Sequence, residues 1–309
     1  MFPLAHIKWF IEKEYSSTSP IYDLSLSDPR IIIWISIVGI LLILAYFLER
    51  KIKGPSKKFI KTARKISPQI LHLFQILVGI SILFASHRGA LLQPHFQGSE
   101  FGGIFQVVEA LTGILLIADV FTCHAAILLV ITYLSTFFLF GTFEALDYIN
   151  LIGIATFIYL KNNCNKKYAK HHHLAIPILR IFTGLTLFIL AFSEKLLFAD
   201  MAYEVVERYN LNFMPYFGFE VFDYNLFILS AGAMEAAFGL IMIFGWITRI
   251  NTIVLTAFFL ASNIYFFLAG YHEEGLIELM GHLPVIATVL VLVLYGSGNK
   301  KKEDILLEK

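Results

Sequence analysis

The stretch IIIWISIVGILLILAYFL, residues 31–48, contains no charged residue and no proline. An apolar segment of about 20 residues can cross a bilayer, and it must be helical there because lipid offers no partner for open backbone groups. The whole chain has the same character: of 309 residues, 58% are apolar or aromatic and 15% are charged, with a mean hydropathy of +0.73. Soluble domains carry about 25% charged residues. The composition therefore excludes a soluble, disordered or disulfide-rich secreted protein and a basic protein that binds nucleic acid.

Further apolar stretches follow along the chain, and we predict an all-α polytopic membrane protein with nine transmembrane helices. The predicted spans are residues 31–48, 70–85, 103–120, 124–140, 148–160, 175–192, 226–246, 251–269 and 278–295. The span that starts at residue 148 is the shortest of the nine.

Lysine and arginine residues concentrate in three segments, 50–67, 161–173 and 299–309. With nine spans, all three segments fall on one side, which the positive-inside rule makes cytoplasmic. We therefore expect the N-terminus outside the cell and the C-terminus in the cytoplasm. Most acidic residues fall on the opposite side: Glu100, Glu144, Asp147, Glu194, Asp200, Glu204, Glu207, Glu220, Asp223, Glu273 and Glu274. The net charge of +1 is thus a cancellation between a basic inner face and an acidic outer face.

The start of the chain allows two interpretations. Residues 1–20 lack a basic start, a long apolar core and a cleavage site, so we expect no signal peptide. The first ten residues, MFPLAHIKWF, are either a short amphipathic helix on the outer surface or a frayed terminus. In both cases Trp9 and Phe10 would lie at the membrane interface.

The chain also resembles itself, which indicates an internal repeat. Both Glu109 and Glu235 begin a Glu-Ala-x-x-Gly motif, which ends at Gly113 and Gly239. The same register places Asn150 opposite His282. We predict two parallel four-helix bundles, 70–160 and 174–298, related by an axis along the membrane normal. Residues 1–69 add an outer segment, a first span and a basic linker, and residues 299–309 form a cytoplasmic tail.

Inserting an ionisable residue at the middle of a membrane-spanning helix costs about 2.5–3.5 kcal/mol. We therefore expect each such residue to have a structural or functional role. Glu109 and Glu235 are followed four residues later by a glycine on the same helix face, which lets a neighbouring helix approach. We expect Lys195, Glu278 and His282 to converge with Glu235 in the outer half of the second unit. The first unit offers a weaker set: His87, Arg88, Glu109 and Asn150.

Three interpretations of this cluster remain open. In the first, Lys195 and Glu235 form a structural ion pair that holds two helices together. In the second, the cluster binds a polar head group and transfers protons. A quinone ring suits the second interpretation, because its carbonyls accept hydrogen bonds while its tail lies along apolar helices. A metal ion held by Glu278, His282 and Glu235 is the third, although Glu274 lies about 12 Å from His282 along the helix. We therefore predict no metal site.

Two cysteines and a long outer loop lie outside the cluster. Cys123 and Cys164 are expected on the cytoplasmic side and form no Cys-x-x-Cys pair, so thiol redox chemistry has little support. The outer loop 198–225 is long and rich in aromatic and acidic residues. It is expected to act as a lid over the bundle or as a docking face for a partner.

The second unit resembles the DoxX family of four-helix membrane proteins. The resemblance rests on Arg180-x-x-x-Gly184, on Lys195-Leu196 at the end of the same helix, and on the run from Glu235 and Gly239 to Thr248-Arg249. The glycine that precedes the lysine in the family is replaced here by Phe192 or Ser193. The first unit is a degenerate copy, in which Thr122-Cys123 stands where the family has Thr-Arg.

The resemblance implies an association with redox or quinone chemistry in a bacterial inner (plasma) membrane. The family is similar to subunits of thiosulfate:quinone oxidoreductase, to proteins of quinone detoxification and to membrane chaperones. We accordingly expect Glu235, Lys195, His282 and Glu278 to act in catalysis, and Lys195, His282, Glu109 and Arg88 to bind a quinone. The partner of such a subunit would be a membrane or periplasmic redox protein. The alternatives are a non-enzymatic chaperone, assembly factor or scaffold, and a transporter of small solutes or metals.

Overall fold

In the computed structural model, the described residues are 7–10, 27–52, 54–92, 102–162 and 164–298, and all regular structure among them is helical. The α-helices are α1 (Pro29–Lys51), α2 (Lys57–His87), α3 (Gly102–Ile117), α4 (Thr122–Leu139), α5 (Thr142–Leu146), α6 (Asn150–Lys161), α7 (Ala175–Leu190), α8 (Ala199–Arg208), α9 (Tyr224–Phe244), α10 (Thr248–Leu268) and α11 (His272–Tyr295). Short 3-10 helices form at Ile7–Phe10, Lys166–Leu174 and Met214–Phe217, and a π-helical turn at Ala191–Leu196 extends α7.

Seven of these helices are long and apolar enough to cross a membrane: α1, α2, α4, α7 with its flanking turns, α9, α10 and α11. Every predicted span is helical, but α3 and α6 are shorter than the rest. The 12 residues of α6 reach about 18 Å, less than the thickness of the hydrocarbon core. The helix begins only at Asn150 because the residues before it form the turn that follows α5. The chain is therefore a helical membrane protein.

The long helices pack in a closed ring. Neighbours along the ring are α2, α3, α4, α6, α7, α9, α10 and α11, and α11 then packs against α2. The last ring helix of each half of the chain, α6 or α11, thus packs against the first ring helix of the other half, α7 or α2. Helix α1 stands outside the ring against α9, with most of its apolar surface exposed, as expected of a helix that faces lipid.

Two pairs of glycines allow neighbouring helices of the ring to approach each other closely. A Cβ atom on Gly184 of α7 would lie 2.7 Å from the carbonyl oxygen of Gly239 on α9. A Cβ atom on Gly79 of α2 would lie 2.8 Å from the carbonyl oxygen of Gly113 on α3. The prediction that Gly113 and Gly239 allow a neighbouring helix to approach is confirmed, because any side chain at these contacts would collide with backbone.

Two arginines close helix C-termini at the end of the ring where α9 and α11 stop, here called the basic end. The Arg180 guanidinium donates hydrogen bonds to the carbonyl oxygens of Met242, Ile243 (2.7 Å) and Ser297 (3.1 Å). Arg249 donates through Nε to Val293 at 3.0 Å. The last carbonyls of a helix have no partner within the helix, so both arginines complete the hydrogen bonding of α9 and α11. Their role in this structure is to fix the ring.

A disulfide bond joins Cys123 at the start of α4 to Cys164 beyond the end of α6. The sequence predicted both cysteines on the same side of the membrane and did not predict that they pair. The pairing has no local signal, because 41 residues separate the two positions. Only the packing of α4 against α6 brings the two residues together.

Candidate functional site

The site begins at the π-helical turn Ala191–Leu196, at the opposite end of the ring from the basic end. We call this opposite end the capped end, because α8 and Ile7–Phe10 cover it. A π-helical turn is wider than an α-helical one and is often found at functional positions. Here the turn brings two successive residues, Glu194 and Lys195, inside the protein, and both are almost completely shielded from solvent.

The ammonium group of Lys195 lies between two carboxylates. Its Nζ atom is 2.8 Å from Oε2 of Glu235 on α9 and 3.7 Å from Oε2 of Glu194. The approach of Lys195 to Glu235 agrees with the prediction from the sequence. The burial of Glu194 was not predicted: the sequence assigned this residue only to the outer side of the membrane, and the π-helical turn places it inside the protein.

His282 and Glu278 of α11 form the second part of the site. Ser262 donates its hydroxyl hydrogen to Oε1 of Glu278 at 2.6 Å, and the same Oε1 lies 3.8 Å from Nδ1 of His282. The imidazole stacks on Phe259, with ring centroids 4.4 Å apart, and its Nδ1 lies 3.3 Å from the side-chain nitrogen of Asn263. The ring of His282 is therefore held in one plane by neighbours on α10.

The two parts meet at a small cavity of about 20 Å³. This is room for about one water molecule. The cavity is lined by Tyr148, Asn150, Thr183, Thr186, Leu187, Leu190, Glu194, Lys195, Glu235, Phe259, Gly281, His282 and Val285. The predicted convergence of Lys195, Glu235 and His282 is confirmed, whereas Glu278 reaches the cavity only through its neighbour His282.

Two predicted binding residues lie elsewhere. Glu109 is buried, but its carboxylate accepts a hydrogen bond from the backbone N–H of Leu92. Both terminal nitrogens of Arg88 donate to Oε1 of Glu273 at 2.9 Å, in an exposed ion pair. Glu109 and Arg88 thus make separate contacts away from the cavity, Glu109 with Leu92 in the first half of the chain and Arg88 with Glu273 of α11.

The 3-10 turn Ile7–Phe10 covers the cavity at the capped end. The backbone N–H of Ile7 donates to Oε2 of Glu194 at 3.1 Å. Lys8 donates to Oε2 of Glu144 at 2.7 Å and to Oδ2 of Asp147 at 2.6 Å. Both interpretations of the N-terminus are wrong for these residues, since a surface helix or a frayed terminus would not bury Ile7 completely.

Trp9 places its indole directly against the site. Its Nε1–H donates to the hydroxyl oxygen of Tyr148 at 3.1 Å, and its ring centroid is 5.5 Å from that of His282. The six-membered ring lies on Gly281, where any Cβ atom would overlap it. Phe10 continues the contact by stacking on Phe266 with a centroid separation of 5.3 Å.

Acidic side chains outnumber basic ones among the described groups that surround the cavity. Around the cavity, the buried carboxylates are Asp147, Glu194, Glu235 and Glu278, and the basic groups are the buried Lys195 and the partly buried Lys8. Burial of an unbalanced charge is costly, so such a cluster favours the uptake of protons or a hydrogen-bonding ligand. A sequence signal for both residues was available: Glu194 directly precedes Lys195, and Asp147 lies close before Asn150.

Asp147 is the member of this cluster that lies in a turn between helices, beside Lys8. Burial raises the pKa of Asp147 to about 6. The Lys8 ammonium opposes this change and the Glu194 carboxylate adds to it. Burial acts to lower the pKa of Lys8, but the Asp147 and Glu144 carboxylates outweigh it and the pKa is raised. Lys8 therefore stays charged, while Asp147 can exchange its proton near neutral pH.

Comparisons of the chain with models of protein families, with curated proteins and with solved structures found no match. Among the described residues, no three or more His, Cys, Asp and Glu side chains are grouped so as to hold a metal ion. The resemblance to the DoxX family stays a prediction.

Proposed function

We propose that the chain is a DoxX-like quinone-linked redox protein, or the membrane subunit of a redox complex. The observation that carries this proposal is the buried pair Lys195–Glu235 beside His282, enclosed at one end of a ring of membrane helices. An ammonium group and an imidazole donate hydrogen bonds to carbonyl oxygens, and neighbouring carboxylates can take up and release protons. A quinone head group needs both kinds of partner when it is reduced or oxidised.

The donor set fits a quinone, but the free space does not hold one while Trp9 is in place. A cavity of about 20 Å³ is smaller than a six-membered ring with its carbonyl oxygens. The space beside it, on the bare backbone of Gly281, is filled by the six-membered ring of the Trp9 indole. With the indole withdrawn, Lys195, Tyr148 and His282 would hold the head group, and the quinone would supply the electron-accepting chemistry.

The proposal includes a topology of nine spans in two parallel four-helix repeats. Two observations support this topology. The last helix of each half packs against the first helix of the other half, and the Gly79–Gly113 contact in the first half matches the Gly184–Gly239 contact in the second. In this topology α3 and α6 are short spans. The basic end faces the cytoplasm of a bacterial cell, and the site opens to the outer half of the bilayer.

A second candidate function is that of a scaffold or assembly factor. Beyond α8, the described part of the outer loop exposes large apolar side chains: Tyr216 (77% exposed), Phe217 (72%), Phe219 (54%) and Val221 (85%). Contiguous exposed apolar residues are typical of docking surfaces. This patch would receive a membrane or periplasmic redox protein. A transport role has less support, because Arg180 and Arg249 at the basic end bind helix carbonyls.

The test of the proposed function is direct binding of a short-tailed quinone. The protein in nanodiscs is titrated with decylubiquinone, and binding is compared between wild type, Glu235→Gln and Lys195→Met. We expect loss of at least tenfold in affinity in both variants and none in the control Arg88→Gln, whose side chain lies on the surface. Equal partitioning of the quinone into all four samples would refute the proposal.

A further inference from the structure

The turn Ile7–Phe10 packs on α8 and α11 and takes no part in closing the helix ring. A 3-10 turn of four residues has little stability of its own, so its contacts with the bundle hold it in place. Several of these contacts are polar. They run from Ile7 N–H to Glu194, from Lys8 to Glu144 and Asp147, and from Trp9 to Tyr148.

The groups beneath the turn keep contacts of their own. Asp147 accepts a hydrogen bond from the Ser193 hydroxyl at 2.7 Å, and His282 stacks on Phe259. Withdrawal of the turn would therefore leave a shaped, polar cavity, with Lys195 and Glu235 still paired. The carboxylates of Glu144 and Asp147 would lose the Lys8 ammonium, which limits how readily the turn leaves.

The Trp9 indole makes the contacts that a planar ring ligand would make. The outer part of its six-membered ring lies on Gly281, its ring is tilted by 54° to that of His282, and its one polar atom donates to the hydroxyl of Tyr148. A tyrosine hydroxyl can donate as well as accept. A ring with a carbonyl oxygen at that edge would take the same place with the hydrogen bond reversed.

We propose that the space held by the Trp9 indole is the ring-binding half of the site, and that Ile7–Phe10 is an internal plug which competes with a planar carbonyl-bearing ring. The inference rests on the proposed function and adds to it the mode of control. The plug lowers the apparent affinity of the site by the fraction of molecules that are open. Loss of the plug should therefore tighten binding, an effect opposite in sign to loss of a binding residue.

The experiment measures decylubiquinone affinity in nanodiscs for wild type, Trp9→Gly and Lys8→Gln. Trp9→Gly empties the ring space, and Lys8→Gln removes the ion pairs that hold the plug without altering the cavity lining. We expect affinity to rise about tenfold or more in Trp9→Gly, which corresponds to an open fraction of about one tenth or less in wild type. A smaller rise is expected in Lys8→Gln. Trp246→Phe, at the basic end, is the matched control and should bind as wild type does.

The outcomes separate the two proposals. If wild type and both variants bind equally tightly while Lys195→Met does not bind, the plug is refuted and the quinone site stands. If even Trp9→Gly shows no binding above that of Lys195→Met, the proposed function and the plug fail together. Should Trp9→Gly not fold, as judged by size-exclusion profile and thermal unfolding, Lys8→Gln decides: unchanged affinity overturns the plug and tighter binding supports it.

Discussion

Nζ of Lys195 lies 2.8 Å from Oε2 of Glu235, and α7 and α9, which lead into this pair, cross at the contact between Gly184 and Gly239. The close crossing allows the two side chains to meet, since two residues on helices held farther apart could not pair without water between them. The ion pair and the glycine contact are thus parts of one arrangement. The charge chemistry at the capped end depends on a steric feature nearer the middle of the helices.

The Lys195–Glu235 pair should show strong coupling between its members. Removal of one partner from a buried pair costs about 3–5 kcal/mol, because the other charge is left without compensation. We expect Lys195→Met and Glu235→Gln each to lower the unfolding temperature strongly, and the double variant to be more stable than the sum of the two effects predicts. Thermal unfolding in detergent measures all four states of this cycle. Additive effects would contradict a direct pairing.

The glycine crossings should not accept alanine. Gly184→Ala and Gly79→Ala each add a methyl group that would lie within 3 Å of a carbonyl oxygen, so we expect a loss of about 1–3 kcal/mol. Gly39→Ala in α1 is the matched control, because no atom lies within 4 Å of its Cβ position. There alanine should be neutral or stabilising by up to about 1 kcal/mol. Equal effects at the three positions would show that the close crossings are not needed.

The Cys123–Cys164 disulfide should add stability to the oxidised protein. It closes a loop of 41 residues, for which the chain-entropy model gives about 4 kcal/mol. We expect Cys123→Ser to lower the unfolding temperature in air and to have little effect in the presence of a reductant. Because the proposed topology places this pair in the reducing cytoplasm, the thiols should be free in the cell. Alkylation of free thiols in cell lysates, followed by mass spectrometry, measures whether the two cysteines are reduced or disulfide-bonded.

The orientation can be checked with single cysteines in a background without Cys123 and Cys164. Lys58→Cys marks the basic end and Val221→Cys marks the capped end, and both positions are exposed. A membrane-impermeant maleimide added to intact cells should label position 221 and reach position 58 only after the cells are opened. The reverse pattern would mean that the basic end faces outward, against the positive-inside rule.

The Asp147 carboxyl should make stability depend on pH. Its pKa is raised from 3.8 to about 6, chiefly by burial, so the folded protein favours the protonated form. The stabilising contribution of this group is therefore complete below pH 3.8 and is lost as the pH rises through about 6. Asp147→Asn should flatten the stability curve between these two values. Identical pH profiles of unfolding temperature for wild type and the variant would exclude this role.

Local sequence patterns anticipated much of the architecture. Apolar runs located all the long helices, because hydropathy and helical spacing are properties of neighbouring residues. The small residues Gly113 and Gly239 and the approach of Lys195 to Glu235 followed from positions on a helix face. Failures occurred where a regular helix was assumed. The π-helical turn that buries Glu194 is an irregularity with no clear signal in the residues that form it.

The sequence by itself determined that the chain is a helical membrane protein with a few charges retained among apolar helices, because the cost of exposing backbone and charge to lipid applies to each segment separately. Only the tertiary structure decided which distant parts meet: Cys123 with Cys164, Arg88 with Glu273, and Trp9 with Gly281 and Tyr148. Such contacts depend on how the helices close into a ring, and no single segment carries that information. The packing of Ile7–Phe10 on the polar cluster is also a tertiary contact of this sort. For this reason the sequence predicted Trp9 at the membrane interface, whereas the structure places its indole against the site.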